Sequence, residues 1–283
     1  MLKPNCIILA SVNINEILSD GERQQLGQQK PGSKYRYVSE TEWKKLRKIL
    51  VEKTIKSNPL INDVSLIAYT PGETVRLLQH PEIQNWHEAV KNFVIPDEYK
   101  IIILVPCAKT KPWDEVHSTH SQLYQSYHRI IQKSRNLEIP PVYFATISEP
   151  LGIVPQEMWG SFPQYDNPGL FNDDFLRTGI TTNKWNFFSD EKRVLPFDKE
   201  MYELSINILG KVVADFIVNN YQGRRIISFV DNESGPKSTH ADMLDKALFL
   251  LSQKGNKYNI ERFHKRRKSR EAPLEYILSK ISN

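Results

Sequence analysis

Two short runs, KIIILVP (100–106) and PVYFATI (141–147), are apolar at almost every position, and a third, RRIISFV (224–230), is apolar apart from two arginines and a serine. A strand with one wetted face alternates apolar and polar residues. A run that is apolar throughout belongs to a strand buried on both faces, as in a parallel sheet covered by helices. Helical patterns follow each run. Residues 118–136 place Leu123, Tyr127, Ile130 and Ile131 on one face, KEMYELSINILGKVVADFIVNNY (199–221) is amphipathic, and HADMLDKALFLLSQK (240–254) continues the rhythm. Strand and helix in alternation predict an α/β fold, a parallel central sheet with helices on both faces.

The first 96 residues carry shorter signals. NCIILASV (5–12) and VSLIAYT (64–70) read as strands, and residues 20–37 as a loop. Ser39 followed by Glu42 makes a capping box, and it opens a helix whose Trp43, Leu46, Ile49 and Leu50 recur at helical spacing. Pro81 suits the first turn of a helix running to Phe93. The expected organisation is a smaller N-terminal α/β part (1–96) of no assigned role, a catalytic core (97–255) and a basic C-terminal extension (256–283). Residues 148–197 are rich in Pro, Gly, aromatics and acids and show no clear period. A segment that long in a compact domain is usually functional or carries small local elements.

The chain has 283 residues, 40% hydrophobic and 25% charged, enough to bury a sizeable core without disulfides or a structural metal. Its two cysteines, Cys6 and Cys107, argue against a disulfide framework and fit a reducing compartment. No apolar run approaches the roughly 18 residues of a membrane span, and the apolar part of MLKPNCIILASVNINE is short for a secretory signal. The expectation is a soluble, cytoplasmic protein without a membrane partner. The net charge of +5 is concentrated in RFHKRRKSR (262–270), where Arg262, Lys265, Arg266, Arg267, Lys268 and Arg270 stand without an acid. Taking those six charges from +5 leaves −1 for the rest of the chain. A basic cluster on a near-neutral body fits contact with nucleic-acid phosphates; a solvated tail is the alternative.

In open parallel sheets, ligands bind beyond the carboxyl ends of the strands. Cys107 follows the first run, the loop from Ser148 follows the second, and Asp231, Asn232 and Glu233 follow the third. Cys107 has Lys109, Lys111, His117 and His120 close in sequence. Their positive charge, with a helix N-terminus expected near Ser118, favours the thiolate that a nucleophile requires. Other readings are a buried structural cysteine, a thiol hydrolase with a histidine base, and zinc held by Cys107, His117, His120 and Asp166. That zinc set matches none of the usual spacings, so neither a metal nor a cofactor is expected.

Two blocks resemble the archaeosine synthase family. LVPCAKTKPW (104–113) is similar to its Pro-Cys-three residues-Lys-Pro-aromatic signature, with Trp113 in place of tyrosine, and the serine and histidine that follow appear slightly displaced as Ser118 and His120. TISEPLGIVPQEMWGSFPQYDNPG (146–169) resembles its Ser-Pro-Leu-Gly-hydrophobic-Val-Pro stretch followed by Tyr-Asp, with Glu149 set between Ser148 and Pro150. The resemblance covers about residues 97–250.

It implies a uracil-DNA glycosylase-like fold and a transferase that adds an amine donor, such as lysine or glutamine, to the nitrile of a 7-cyano-7-deazaguanine base in nucleic acid. It also implies that Cys107 forms a thioimidate, that Lys111, His117 and His120 are the proton donors, and that Asp166 and Glu149 read the donor edge of the base. Ser118, Gly152 and Tyr165 would complete the base site. Asp166, in YDNPG, also suits an Asx-turn. Typical members carry transglycosylase-like and RNA-binding parts that residues 1–96 do not resemble, so tRNA and DNA both stand as the polymer. Other enzymes of deazaguanine metabolism are the partners it suggests. A nucleobase glycosylase and a non-catalytic nucleic-acid-binding module are the rival readings.

Overall fold

Ile101 lies opposite both Val142 and Arg225, so the first apolar run is the centre of a sheet whose neighbours are the other two. The structure is a computed structural model that describes residues 28–29, 36–37, 40–57, 61, 63–69, 71–107, 141–161, 170, 187–188, 199–230, 238–253, 258 and 260–262. The strands are β1 (Gln28–Gln29), β2 (Arg36–Tyr37), β3 (Ile101–Pro106), β4 (Val142–Ser148), β5 (Gly152–Pro155), β6 (Phe187–Phe188), β7 (Arg225–Ser228) and β8 (Ile260–Arg262). The helices are α1 (Glu40–Ser57), α2 (Pro71–Leu77), α3 (Pro81–Lys91), α4 (Lys199–Tyr221) and α5 (Thr239–Gln253). The main sheet has five strands in the order β5-β4-β3-β7-β8; β5 is antiparallel to β4 and the other pairs are parallel. A second, small sheet has the order β1-β2-β6.

The expected α/β architecture is present as a mostly parallel sheet with helices. Ile101 to Val105 of β3 and every residue of β4 are buried, and since alternate residues point to opposite faces, both faces of the sheet centre are covered. α4 spans the expected 199–221, and α5 starts one residue before the expected 240. Part of the N-terminal region shares this core: Ile83, Trp86 and Val90 of α3 belong to the same buried cluster as the sheet residues. Trp86 Nε1 donates to the carbonyls of Leu151 (3.0 Å) and Ile153 (3.2 Å), which ties α3 to the turn between β4 and β5. The buried Arg224 donates to the carbonyls of Tyr99 (2.9 Å), Ile95 (2.9 Å) and Asn220 (3.0 Å), and so fixes the entry of β3 against the end of α4.

Three expectations change. The strand expected over 64–70 does not begin as one: Val64–Leu66 form a 3-10 turn, because the Asp63 carboxylate accepts from Ser65 N (2.9 Å) and offers the backbone a local partner in place of a ladder. Ile49 is 42% exposed, although Trp43, Leu46 and Leu50 are buried as their spacing predicts. The sheet also extends into the basic extension. β8 is held by Arg225, whose guanidinium meets the Glu261 carboxylate at two points (2.5 and 2.9 Å). The expected strand at 5–12 and helix at 118–136 lie outside the described residues.

Gly152 opens β5 with φ +76°, and a Cβ built there would sit 2.6 Å from Val212 Cγ1 of α4. Both the dihedral and the contact call for glycine. Gly152→Ala is expected to destabilise the fold by about 1–3 kcal/mol, seen as a lower midpoint in denaturant unfolding; an unchanged midpoint would show that α4 yields freely there.

Candidate active site

Pro106 ends β3, and the next amide, Cys107 N–H, donates to the Ile147 carbonyl of β4 (2.9 Å). The sheet register therefore extends one residue past the strand and fixes the thiol at its carboxyl edge. Cys107 is half-buried and packs on the core. β4 ends at Ser148 on the same edge, and Glu149 follows with 5% of its surface exposed. A cis peptide bond links it to Pro150. From above, α3 holds this turn: His87 Nε2 donates to the Pro150 carbonyl (2.8 Å). Burial lowers the His87 pKa, so the ring is neutral near pH 7 and keeps that donor.

The third contribution comes from the start of α5. His240, its second residue, has Nε2 at 3.1 Å from Glu149 Oε2. The angle is off the line of a good hydrogen bond, so the contact is best described as an ion pair. The Ser238 hydroxyl lies 3.3 Å from His240 Nδ1. The Glu149 carboxylate stands at the N-terminal end of α5, where Thr239 and the helix dipole favour its negative charge. Cys107 lies close enough to His240 for the thiol to raise the imidazole further. Thiol, imidazole and carboxylate thus meet in sequence at the strand ends, each from a different element.

The electrostatics follow from this packing. Burial alone would raise the Glu149 carboxyl; the charge of His240, with the backbone and Thr239, outweighs it and holds the carboxyl below its ordinary range. Burial alone would lower His240; the Glu149 charge beside it, reinforced by Cys107, pushes it up to about 10. At neutral pH the pair is carboxylate and imidazolium. The His240 side chain keeps 19% of its surface exposed, while its Nε2 is buried beside the Glu149 carboxylate. An imidazolium touching a thiol favours thiolate and supplies a proton for the atom that the thiolate attacks. Behind the pair, the Tyr202 hydroxyl of α4 donates to Asp242 of α5, and its pKa is raised by burial and then by Asp242.

A family model described as "Domain of unknown function (DUF5591)" matches residues 83–169. That is less than a third of the chain, and it contains Cys107 and Glu149 but not His240. No curated protein and no solved structure matches the chain.

Several expected site residues now have places. Cys107 stands where the strand-end reading put it. Glu149, expected at the base edge, has its carboxylate buried and ion-paired with His240. Gly152 meets Val212 and serves the packing of β5. Arg262 ends β8 with Nη2 at 2.5 Å from Asp245 of α5, so its charge is engaged within the fold. Lys111, His117, Ser118, His120, Tyr165, Asp166, Lys265, Arg266, Arg267, Lys268 and Arg270 lie outside the described residues. His240 is the residue that the sequence reading missed. It was read as the first residue of an amphipathic helix; the clue was that this helix follows the third strand end. No described helix is long and apolar enough to cross a membrane.

Proposed function

We propose that the protein is a transferase that adds an amine donor to the nitrile of a 7-cyano-7-deazaguanine base in nucleic acid, with Cys107 as nucleophile. The observation that carries the reading is the place of Cys107 at the end of β3, on the edge where His240 is ion-paired with the buried Glu149. The motif resemblance around Cys107 and Glu149 supplies the substrate. Four parallel strands among helices support the uracil-DNA glycosylase-like core that the resemblance implies.

A nitrile carbon is a weak electrophile towards an amine in water. The Cys107 thiolate adds to it, one C–N π bond breaks, and the His240 imidazolium gives its proton to the nitrile nitrogen. The product is a neutral thioimidate. An amine then attacks the thioimidate carbon, the C–S bond breaks, the thiolate leaves, and the amine's proton returns to the His240 imidazole. The net reaction joins nitrile and amine into an amidine. Glu149 is a positioning residue in this account, since it holds His240 protonated and aimed at the thiol. Asp166 keeps the expected role at the base edge, and Lys111, His117 and His120 are further proton donors in the resemblance.

The test is mass spectrometry of the protein and of nucleosides after incubation with cyano-base DNA or tRNA and candidate amines. Without an amine, wild-type protein should gain the mass of the base-containing fragment on Cys107, and Cys107→Ala should gain none. With an amine, the cyano nucleoside should convert to the amidine. Release of the free base would instead favour the glycosylase reading, and full activity of Cys107→Ala would end the covalent mechanism.

A further inference from the structure

α3 lies in the N-terminal part of the chain, for which the sequence suggested no role. Two adjacent side chains of this helix hold the turn that follows β4. The buried Trp86 ties the Leu151 and Ile153 carbonyls, and His87 Nε2 donates to the Pro150 carbonyl (2.8 Å). The two anchors differ in consequence. Leu151 and Ile153 are also fixed from the β5 side, by the pairing of Ser148 with Gly152 and of Ile147 with Ile153, and by the packing of Gly152 on Val212. Pro150 has no N–H, so its carbonyl is the one backbone polar group by which it can be anchored. Pro150 is buried, and a buried carbonyl needs a partner. His87 is that partner, one residue from the carboxylate that stands 3.1 Å from His240 Nε2. A carbonyl only accepts, so the neutral His87 ring carries its proton on Nε2.

We infer that His87 is a positioning residue of the Cys107 centre: through the Pro150 carbonyl it sets the Glu149 carboxylate against His240. The inference rests on the reading of Cys107, His240 and Glu149 as the reacting centre. Burial by itself lowers the proton affinity of His240, and the Glu149 charge is the largest influence acting the other way. Attraction between two charges falls with their separation and falls further when water enters between them. Without the His87 donor, the buried Pro150 carbonyl is left unpaired and the turn rearranges to satisfy it. Glu149 moves with the turn, His240 holds its proton less firmly, and the positive charge near Cys107 is lost at a lower pH. His87 acts through the turn and transfers no proton. A purely structural role would change stability alone; a positioning role also changes the ionisation of His240.

The test is an NMR titration of His240 in protein carrying ring-labelled histidine, with His240→Gln used to assign its signal. It compares wild type with His87→Leu, His87→Asn, His87→Gln and Ile83→Val. Leucine fills the space of the ring without a donor, asparagine draws the donor back, and glutamine keeps an amide N–H near the place of Nε2. Ile83 is buried on the same helix, so Ile83→Val is a packing control that removes no hydrogen bond. Circular dichroism and urea unfolding would verify the fold of each. In wild type, His240 should stay protonated well above pH 6.5. His87→Leu is expected to weaken its hold on the proton about tenfold, about one pH unit in the midpoint, and His87→Asn to shift it in the same direction. His87→Gln should stay close to wild type, and Ile83→Val should lower the urea midpoint while leaving the His240 midpoint in place. A raised wild-type midpoint that does not move in His87→Leu and His87→Asn, or that moves as far in Ile83→Val, would overturn the inference and leave the centre as read. A wild-type midpoint near 6.5 would overturn the pairing of His240 with Glu149 and this inference with it. The titration uses no nitrile, so a failure of the proposed reaction would show in the mass spectra and not here.

Discussion

His240→Gln is expected to slow amidine formation by about two to four orders of magnitude, the usual contribution of a positioned proton donor. Glutamine is close to imidazole in reach and can place an amide N–H against Glu149, so the fold should survive. It cannot carry a positive charge, so it neither favours the Cys107 thiolate nor protonates the nitrile nitrogen. The loss should therefore appear in turnover more than in KM. Initial rates on a cyano-base oligonucleotide would measure it. A variant with wild-type turnover would place the proton donor elsewhere, with Lys111, His117 or His120 as the candidates.

Glu149→Ala is expected to lower stability by about 3 kcal/mol, the lower end of the 3–5 kcal/mol found when one partner of a buried ion pair is removed. The lower end applies because His240 can release its proton once its partner is gone. The pH dependence gives a second readout. The folded pKa of His240 is raised from 6.5 to about 10, so its contribution is full below pH 6.5 and is lost as pH rises towards 10. The folded pKa of Glu149 is lowered from 4.5, so its contribution is present above pH 4.5 and is lost as pH falls through the folded value. The pair thus stabilises most between about pH 4.5 and 6.5. Urea unfolding at pH 5.5, 7.5 and 9.5 should show wild-type stability declining across the two alkaline steps, with a flatter profile in Glu149→Ala. Parallel profiles would mean that the two residues do not share a charge in solution.

The centre of the fold was legible because burial on both faces leaves an unmistakable mark. β3 and β4 are runs with few polar residues, β7 is buried after its first residue, and α4 and α5 carry long apolar stripes. β8 left no such mark. Its three residues are half-buried, two of them are charged, and it joins the sheet through Arg225 and Glu261 rather than through an apolar face. The 3-10 turn at Val64 was hidden for the opposite reason: VSLIAYT has strand composition, and one upstream aspartate diverts its backbone. At the site, the strand-end rule located Cys107 and the Glu149 turn, because both lie within two residues of a buried run. It could not pair either with His240, which is 133 residues after Cys107 and 91 after Glu149. That meeting depends on β7 lying beside β3 and on where α5 begins after it. Glu149 was assigned to the base edge because a carboxylate in a loop looks available until its burial is known.

The claim on which the account turns is that His240 and Glu149 hold the Cys107 thiol in a reactive, ionised state. The most direct measurement needs no substrate: the rate of Cys107 alkylation by iodoacetamide from pH 4 to 10, followed by peptide mass mapping to separate it from Cys6, in wild type and in His240→Gln. The account predicts that wild-type Cys107 still reacts well below pH 8.5, the ordinary thiol pKa, and that His240→Gln moves the profile up towards that value. An ordinary thiol profile in wild type, unchanged by the substitution, would contradict it.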